Sequence, residues 1–411
     1  MLSQTSDSPL SSETSARAVL SLVGAFLALF CSVGIANAFG VFQAYYIEHQ
    51  LADRSDFDIS WIGSLALGIM FANAPLVGIL VDRVGATILL ISGSTGLLLS
   101  VFMTSLASKY YHFILAQAVL QGLSMSFVMF PAIAIISKNF HKNRGLALGI
   151  TIGGSSIGGL IWPIVLDELL NQDAVSFGWT LRIVAFIMLP LLLLSCLFVR
   201  PSQPMPSPKV QSEKPKTDLS IAKNPAFIIL CTGLAVIYLG IFSPFFYVSS
   251  WASSLGMSTS LSFYMISFLN AASLFGRILP GFLADRYGHF NLCAGAALLS
   301  GIIAFCWTTT RSEAGVVVWS ISYGFTSGAI LSLQTACVAK IATRETQGTA
   351  VGLLMGSVAL TALFGTPISG QLVGQYGYLA LSMFSGATLV VGSLLITWAR
   401  LRLDGKWVAA V

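Results

Sequence analysis

The sequence predicts an all-α membrane protein with twelve transmembrane helices in two pseudo-symmetric six-helix bundles. Three observations support this prediction: the composition, the number of long apolar windows, and an internal repeat. Of the 411 residues, 55% are hydrophobic and 9% are charged, whereas about 25% are charged in a typical soluble domain. The mean hydropathy of +0.84 leaves too little polar surface to coat soluble domains, so most of the chain must face the lipid bilayer or other apolar helices.

Each window must supply about 20 mainly apolar residues to cross a bilayer. The N-terminal 17 residues are polar and lack the basic start of a secretory signal, so the first window is predicted to be a retained span. The twelve predicted spans are 18–45, 59–81, 87–107, 112–137, 145–167, 179–199, 225–249, 261–284, 289–309, 314–339, 347–370 and 378–400.

The charges predict the orientation, because Lys and Arg are retained preferentially on the cytoplasmic side. With both termini inside, the inner segments hold 16 of the 21 basic residues, and the outer loops hold only Arg54, Lys109 and Arg311. We therefore expect a multi-pass protein with both termini cytoplasmic. The plasma membrane is the default location, since no sequence signal specifies another address.

Residues 200–224 contain five prolines and four lysines. Such a segment buries too little apolar surface to order itself, so it is predicted to be a flexible cytoplasmic linker. It divides the chain into an N-terminal bundle (18–199) and a C-terminal bundle (225–400), with cytoplasmic tails at 1–17 and 401–411.

A GxxxDRxG pattern follows the second span and returns 203 residues later, after the eighth span. Its glycines permit a tight turn and close helix approach, and its Asp can cap a helix or pair across an inner gate. A plain surface turn is the alternative interpretation. The predicted gating residues are Gly78, Asp82, Arg83 and Gly85 in the first copy and Gly281, Asp285, Arg286 and Gly288 in the second. A shorter echo relates Phe177-Gly178-Trp179 to Tyr376-Gly377-Tyr378.

The repeated pattern resembles the loop signature of the major facilitator superfamily, although Thr87 and Phe290 replace its closing basic residue. Residues 140–159 resemble the fourth-to-fifth span region of the monocarboxylate porter family, and 244–250 and 276–281 are similar to its fungal branch. The resemblance implies a fungal source and two bundles that rock about a central site. It also implies transport of small organic anions such as monocarboxylates, often with a proton.

Arg277 is the most informative single residue. It lies eight residues before Asp285, or about 12 Å along the helix, towards the middle of a ~30 Å core. A charge there costs on the order of 3 kcal/mol, so it should face a wet cavity or a partner. No acid lies within one helical turn, and a free guanidinium suits a substrate carboxylate. The alternative is an arginine that bonds backbone carbonyls or reaches the inner gate.

Asn37, Tyr247 and Asn270 are the next candidate substrate-binding residues. Their spans are the first, seventh and eighth, which line the central cavity in the fold that the resemblance implies. Each could instead form a helix–helix hydrogen bond. Other polar candidates are Asn73, Gln117, Gln121, Tyr238, Tyr264 and Gln334. The fifth span also carries a face of small residues that favours close packing, formed by Gly149, Gly153, Gly154, Gly158 and Gly159.

Proton coupling is where the sequence departs from the animal members of the family. Ser273 stands where they carry an acid, and Asn37 aligns with their lysine. None of the 16 acids lies in the middle of a predicted span. The chain is thus predicted to be a uniporter, an exchanger, or a proton symporter in which the anion or a terminal acid carries the proton.

Several classes are excluded. The six cysteines lie in apolar stretches without a CxxC pair, so neither disulfides nor a metal site is predicted. No catalytic set or nucleotide loop is visible, so no enzyme, no cofactor and no ATP drive are expected. The basic residues are scattered, which excludes nucleic acid. The predicted function is alternating-access transport of small organic anions by a monomer. The alternatives are export of a larger secondary metabolite, or a non-transporting membrane sensor.

Overall fold

The computed structural model describes residues 15–140, 144–172, 175–200, 220–342 and 347–404, which fold into α-helices with short π and 3-10 segments. Within these residues, ten helices are long and apolar enough to cross a membrane, and a bent pair makes an eleventh. Helix Gln347–Leu403 has 57 residues and is interrupted at Gly377. At 1.5 Å per residue it would be about 86 Å long, nearly three bilayer cores, so it counts as two spans. The twelve predicted spans are therefore present.

The N-terminal half contains α1 (Ala16–Gln50, in four short segments), α2 (Asp56–Ala72 and Ala74–Val84), α3 (Ala86–Thr104), α4 (Tyr110–Asn139), α5 (Arg144–Asp167, extended by Glu168–Gln172) and α6 (Phe177–Phe198). The C-terminal half contains α7 (Pro225–Gly240 and Ser243–Ser254), α8 (Thr259–Tyr287), α9 (His289–Phe305), α10 (Glu313–Ile341), and α11 and α12, which lie before and after Gly377 in Gln347–Leu403.

Observed helix ends differ from the predicted windows where polar residues cap a helix. α2 begins at Asp56, three residues before the predicted start, because the Ser55 hydroxyl accepts from the Asp58 amide at 3.2 Å. The predicted linker is too long at its C-terminal end. Residues 220–223 form a 3-10 helix with a buried Ile221, and Asn224 caps α7. Residues 201–219 and the predicted tails, apart from 15–17 and 401–404, lie outside the described residues.

Glycines at matching places in the repeat end α2 and α8. Gly85 has φ 91° and Gly288 has φ 90°, a region that glycine adopts without steric cost. The tight turns predicted for both copies of the motif are therefore present. The shorter echo does not repeat in three dimensions, because Gly377 breaks its helix at φ 76° whereas Gly178 lies inside the first turn of α6.

The two most extensive helix pairs between the halves are α2 with α11 and α5 with α8. The repeat relates these pairs to each other. We call the end of the bundle that carries Gly85 and Gly288 the motif end, and the end that carries Leu51 and Gly256 the far end. Towards the far end α1 meets α7, where the rings of Phe39 and Phe246 are 5.1 Å apart.

The far half of the α2–α11 contact is also closed, because the rings of Trp61 and Phe364 are 5.8 Å apart. The motif end differs. A Cβ atom added to Gly78, Gly149 or Gly281 would have no atom within 4 Å. The close helix approach predicted at Gly78 and Gly281 is therefore absent in this conformation. Contacts between the halves extend from the far end to Pro75 and Gly352 in the α2–α11 pair and to Arg277 in the α5–α8 pair.

Candidate functional site

Arg277 lies at the contact between the two halves. It projects from α8 and is 4% exposed, and its Nη1 atom donates to the Ile152 carbonyl at 2.8 Å and to the Ser155 hydroxyl at 2.5 Å. Both acceptors belong to α5. Arg277 thus bonds a backbone carbonyl, as the second interpretation of the sequence predicts. It also bonds a hydroxyl. Within the part of the chain that the structure describes, its Nε atom has no hydrogen-bond partner.

Asn37 reaches the same point from α1. Its Nδ2 atom donates to the Ser155 carbonyl at 3.1 Å, and the side chain is buried. Asn37 and Arg277 therefore converge on Ser155 from opposite halves of the molecule. We call Asn37, Ile152, Ser155 and Arg277 the Arg277 cluster. Ser155 was not among the predicted site residues, because a serine within a run of glycines indicates helix packing more readily than binding.

The small face of α5 brings these elements together. A Cβ on Gly154 would overlap the Phe26 carbonyl of α1, and one on Gly158 would lie 2.7 Å from the Gly34 Cα. On the other side, a Cβ on Gly159 would lie 2.5 Å from the Asn270 amide of α8. Close packing is therefore confirmed for this face except at Gly149, which has no neighbour within 4 Å, and it sets α5 between α1 and α8.

Asn270 lies on α8 two helical turns from Arg277, towards the far end. Its Nδ2 atom donates to the Ile266 carbonyl of its own helix at 3.0 Å, and its Oδ1 atom has no hydrogen-bond partner. Ser273 lies between the two and its hydroxyl is also unpaired and buried. This stretch of α8 therefore carries three buried side chains with unused hydrogen-bonding atoms.

Tyr247 is placed apart from the Arg277 cluster. Its hydroxyl donates to the Thr366 carbonyl of α11 at 3.4 Å and lies 2.7 Å from where a Gly370 Cβ would be. α7 passes the central region of the molecule before it reaches Tyr247. Tyr247 therefore lies in the contact that closes the far end. It does not contact the Arg277 cluster in this conformation, and its predicted role in substrate binding stays a prediction.

A second polar pair lies in the centre of the molecule. Gln334 of α10 donates to the Tyr238 hydroxyl of α7 at 3.0 Å, and Phe71 of α2 packs edge-on against Tyr238 at 5.5 Å between ring centroids. Arg277 and Tyr238 are close enough to interact electrostatically. The sequence ranked Tyr238 and Gln334 below Tyr247, since nothing local distinguishes a central tyrosine from a peripheral one.

The motif residues form no described gate. Arg83 and Arg286 are exposed, and the Arg286 guanidinium lies 5.7 Å from the ring centre of Tyr287. The side chains of Asp82 and Asp285 lie outside what the structure describes. Pairing of these aspartates across an inner gate therefore stays a prediction.

A groove of about 560 Å³ opens between α8, α9 and α10 and is lined mainly by apolar side chains, among them Phe268, Phe275 and Phe325. Phe275 is 58% exposed. It lies two residues before Arg277, and two helical residues point in nearly opposite directions. The groove thus faces away from the Arg277 cluster, towards the surface that meets lipid.

Comparison with known families matches the chain to the Major Facilitator Superfamily over residues 25–322. The chain is 51% identical to an MFS-type transporter of Aspergillus fumigatus, over 96% of this chain and 95% of that one. It is also 51% identical to the agnestins efflux protein of Paecilomyces divaricatus, over 96% and 90%. A third relative is the aspyridones efflux protein of Emericella nidulans, at 39% identity over 94% and 78%.

Among solved structures, the nucleoside transporter NupG has a similar fold, with a TM-score of 0.71 over 94% of this chain and 100% of that one. The two sequences are 16% identical. This likeness concerns the fold.

Proposed function

This chain belongs to the major facilitator superfamily, and on that premise we propose that it exports an organic secondary metabolite by alternating access. One observation carries the proposal: the chain is 51% identical, over nearly its whole length, to a protein named for the efflux of agnestins. A second relative is named for the efflux of aspyridones. These names support the exporter alternative over uptake of a small monocarboxylate.

We further propose that the exported metabolite carries an acidic group and that Arg277 binds it. The setting of Arg277 supports this. Among the described residues, Arg277 is met by a carbonyl and a hydroxyl and by no carboxylate. A guanidinium in that setting gains most from an anion, because charge-assisted bonds are roughly twice as strong as neutral ones.

The conformation fits an exporter if the motif end faces the cytoplasm, as the charge distribution predicts. The halves meet at the far end, where Phe39 packs on Phe246. A site closed on that side exchanges with the cytoplasm, which is the side from which an exporter takes up its substrate. We propose that the protein acts as a monomer in the plasma membrane, with both termini inside, and that a proton, if one moves, travels on the metabolite or on an acid near a helix end.

The test is export from transporter-deficient yeast that expresses the chain. Cells are loaded with labelled lactate and benzoate and, separately, with a panel of fungal aromatic and polyketide acids, and loss to the medium is measured by mass spectrometry. Export of a larger acid without export of lactate supports the proposal. Export of lactate alone would support transport of small monocarboxylates instead. Correct insertion without any export would favour a sensor.

A further inference from the structure

We propose that Ser155 and Asn37 hold Arg277 in a clasp between the two halves, and that an anionic substrate opens this clasp by taking over the guanidinium. The inference rests on the proposed transport function and deepens it. It assigns Ser155 as the residue that positions Arg277 between transport events. It also makes the negative charge of the substrate the trigger for separating α5 from α8.

The hydrogen bonds of the clasp share their acceptors. The Ser155 hydroxyl donates to the Ile152 carbonyl at 2.9 Å, so its lone pairs are free to accept from Arg277. Arg277 donates to both that hydroxyl and that carbonyl. Asn37 holds the Ser155 carbonyl at 3.1 Å and so fixes the turn of α5 that carries both acceptors. The Arg277 guanidinium of α8 therefore binds one turn of α5, and α1 holds the same turn through Asn37.

The clasp leaves Arg277 incompletely satisfied. Its charge is met by neutral acceptors, and its buried Nε atom has no partner among the described residues. A carboxylate offers a guanidinium two parallel, charge-assisted bonds. An anion therefore competes well against a carbonyl and a hydroxyl, whereas a neutral ligand of the same shape does not. Because the displaced bonds run from α8 to α5, their loss weakens one of the two most extensive helix pairs between the halves.

The internal repeat argues that this polar set is not needed for packing. With the offset of 203 residues, the positions that correspond to Arg277 and Ser155 in the α2–α11 pair are Ala74 and Val358. Both side chains are apolar and buried, and α2 and α11 pack closely. The same architecture therefore joins its halves once with apolar side chains and once with a charged clasp, so the clasp serves something other than adhesion.

Hydrogen–deuterium exchange on the purified full chain in lipid nanodiscs tests the clasp. The test variant is Ser155→Ala and the matched control is Ser156→Ala, since Ser156 is the next residue, is also buried, and has a hydroxyl without a partner. We expect Ser155→Ala to raise exchange in peptides from 149–157 and 270–281 by roughly tenfold, in line with one bond to a charged group. Ser156→Ala should match the wild type. Equal exchange in the two variants would overturn the clasp.

The trigger is tested with benzoate and its neutral isostere benzamide as probes. Benzoate at millimolar concentration should raise exchange of the same wild-type peptides towards the level of Ser155→Ala and change that variant little. Benzamide should have no effect. An unchanged wild type in benzoate, or an equal response to benzamide, would overturn the claim that an anion opens the clasp.

A further variant guards against misfolding. Ser155→Thr keeps the hydroxyl and should exchange as the wild type does. If it instead exchanges as Ser155→Ala does, the hydroxyl is not the group that holds Arg277. The yeast assay separates the two proposals. If the wild type exports an acid while the Ser155 and Ser156 variants exchange alike, the clasp fails and the export function stands. If the wild type exports nothing, the function fails whatever the exchange data show.

Discussion

At the residue scale, Arg277 illustrates how a membrane bundle accommodates a charge without an opposite charge. Burial of an arginine in mid-membrane costs on the order of 3 kcal/mol or more, and bonds to Ile152 and Ser155 offset part of that cost. The sequence identified Arg277 because one charge in an apolar window stands out. Ser155 did not stand out, because its role depends on α8, which lies more than 100 residues further along the chain.

Replacing Arg277 tests the anion site. We expect Arg277→Gln to lower the export rate of an acidic metabolite at least tenfold, since it removes the charge and the paired donors. Arg277→Lys should lower it less, because a point charge remains without the planar fork. Initial rates in yeast, normalised to protein in the membrane, provide the measurement.

Arg182→Gln is the matched control for charge loss within a span. Arg182 lies in α6 and its guanidinium is 5.0 Å from the ring centre of Trp179, away from the Arg277 cluster. Its loss should leave the export rate within about twofold of the wild type, as expected for a site outside the binding region. A wild-type rate for Arg277→Gln would refute the anion site.

Gly159 tests the close contact between α5 and α8. A Cβ there would lie 2.5 Å from the Asn270 amide, whereas a Cβ on Gly149 of the same helix would touch nothing within 4 Å. We expect Gly159→Ala to destabilise the protein by about 1–3 kcal/mol through overpacking. Gly149→Ala should be neutral or stabilising by up to ~1 kcal/mol. Thermal unfolding of the two purified variants decides the matter, and equal melting temperatures would count against the contact.

At the element scale, the twelve spans were predictable because each supplies enough apolar length, while their breaks were predictable only where a proline marks them. α2 bends by 43° at Asn73, where Pro75 removes a backbone donor that a straight helix would need. α1 breaks at Ala38 and α7 at Ile241 and Phe242, at nearly corresponding positions of the repeat. Gly240 and Pro244 flank the break in α7, as Pro75 follows the bend in α2. No proline lies near Ala38, so hydropathy and turn residues indicate the α7 break but not the α1 break.

Gly377 separates α11 from α12, and a substitution there tests how this break is formed. Its φ of 76° and ψ of −178° belong to a region that is essentially restricted to glycine. We expect Gly377→Ala to cost about 1–3 kcal/mol and to lower the melting temperature. Gly374→Ala is the control, since Gly374 has equally open surroundings and no positive φ. If Gly374→Ala lowered the melting temperature as much, the strain assigned to Gly377 would be wrong.

At the scale of the whole molecule, the repeat predicted two halves but not which helices join them. The α2–α11 and α5–α8 pairs each connect segments far apart in the chain, and helix contacts in a bilayer leave little trace in hydropathy, because lipid-facing and helix-facing positions are both apolar. The sequence repeat also does not indicate an asymmetry between the two pairs. Of these pairs, the α5–α8 pair carries the charged clasp and the α2–α11 pair does not.

Alternating access requires the far end to open and close, and Gly40 tests this. A Cβ on Gly40 of α1 would lie 2.7 Å from the Phe245 carbonyl of α7. We expect Gly40→Val to keep these helices apart and to reduce export at least tenfold, with faster hydrogen exchange in residues 243–254. Gly295→Val, at a position in α9 with no neighbour within 4 Å, should export normally. Wild-type export by Gly40→Val would mean that this contact does not close the transport path.

The most direct test of the central claim is transport by purified protein in liposomes. The acidic metabolite found in the yeast assay and its neutral methyl ester are each presented to the wild type and to Arg277→Gln, and tracer movement is followed. We predict that the wild type moves the acid faster than the ester by at least tenfold and that Arg277→Gln removes this preference. Equal movement of acid and ester by the wild type would contradict an exporter that recognises its substrate through Arg277.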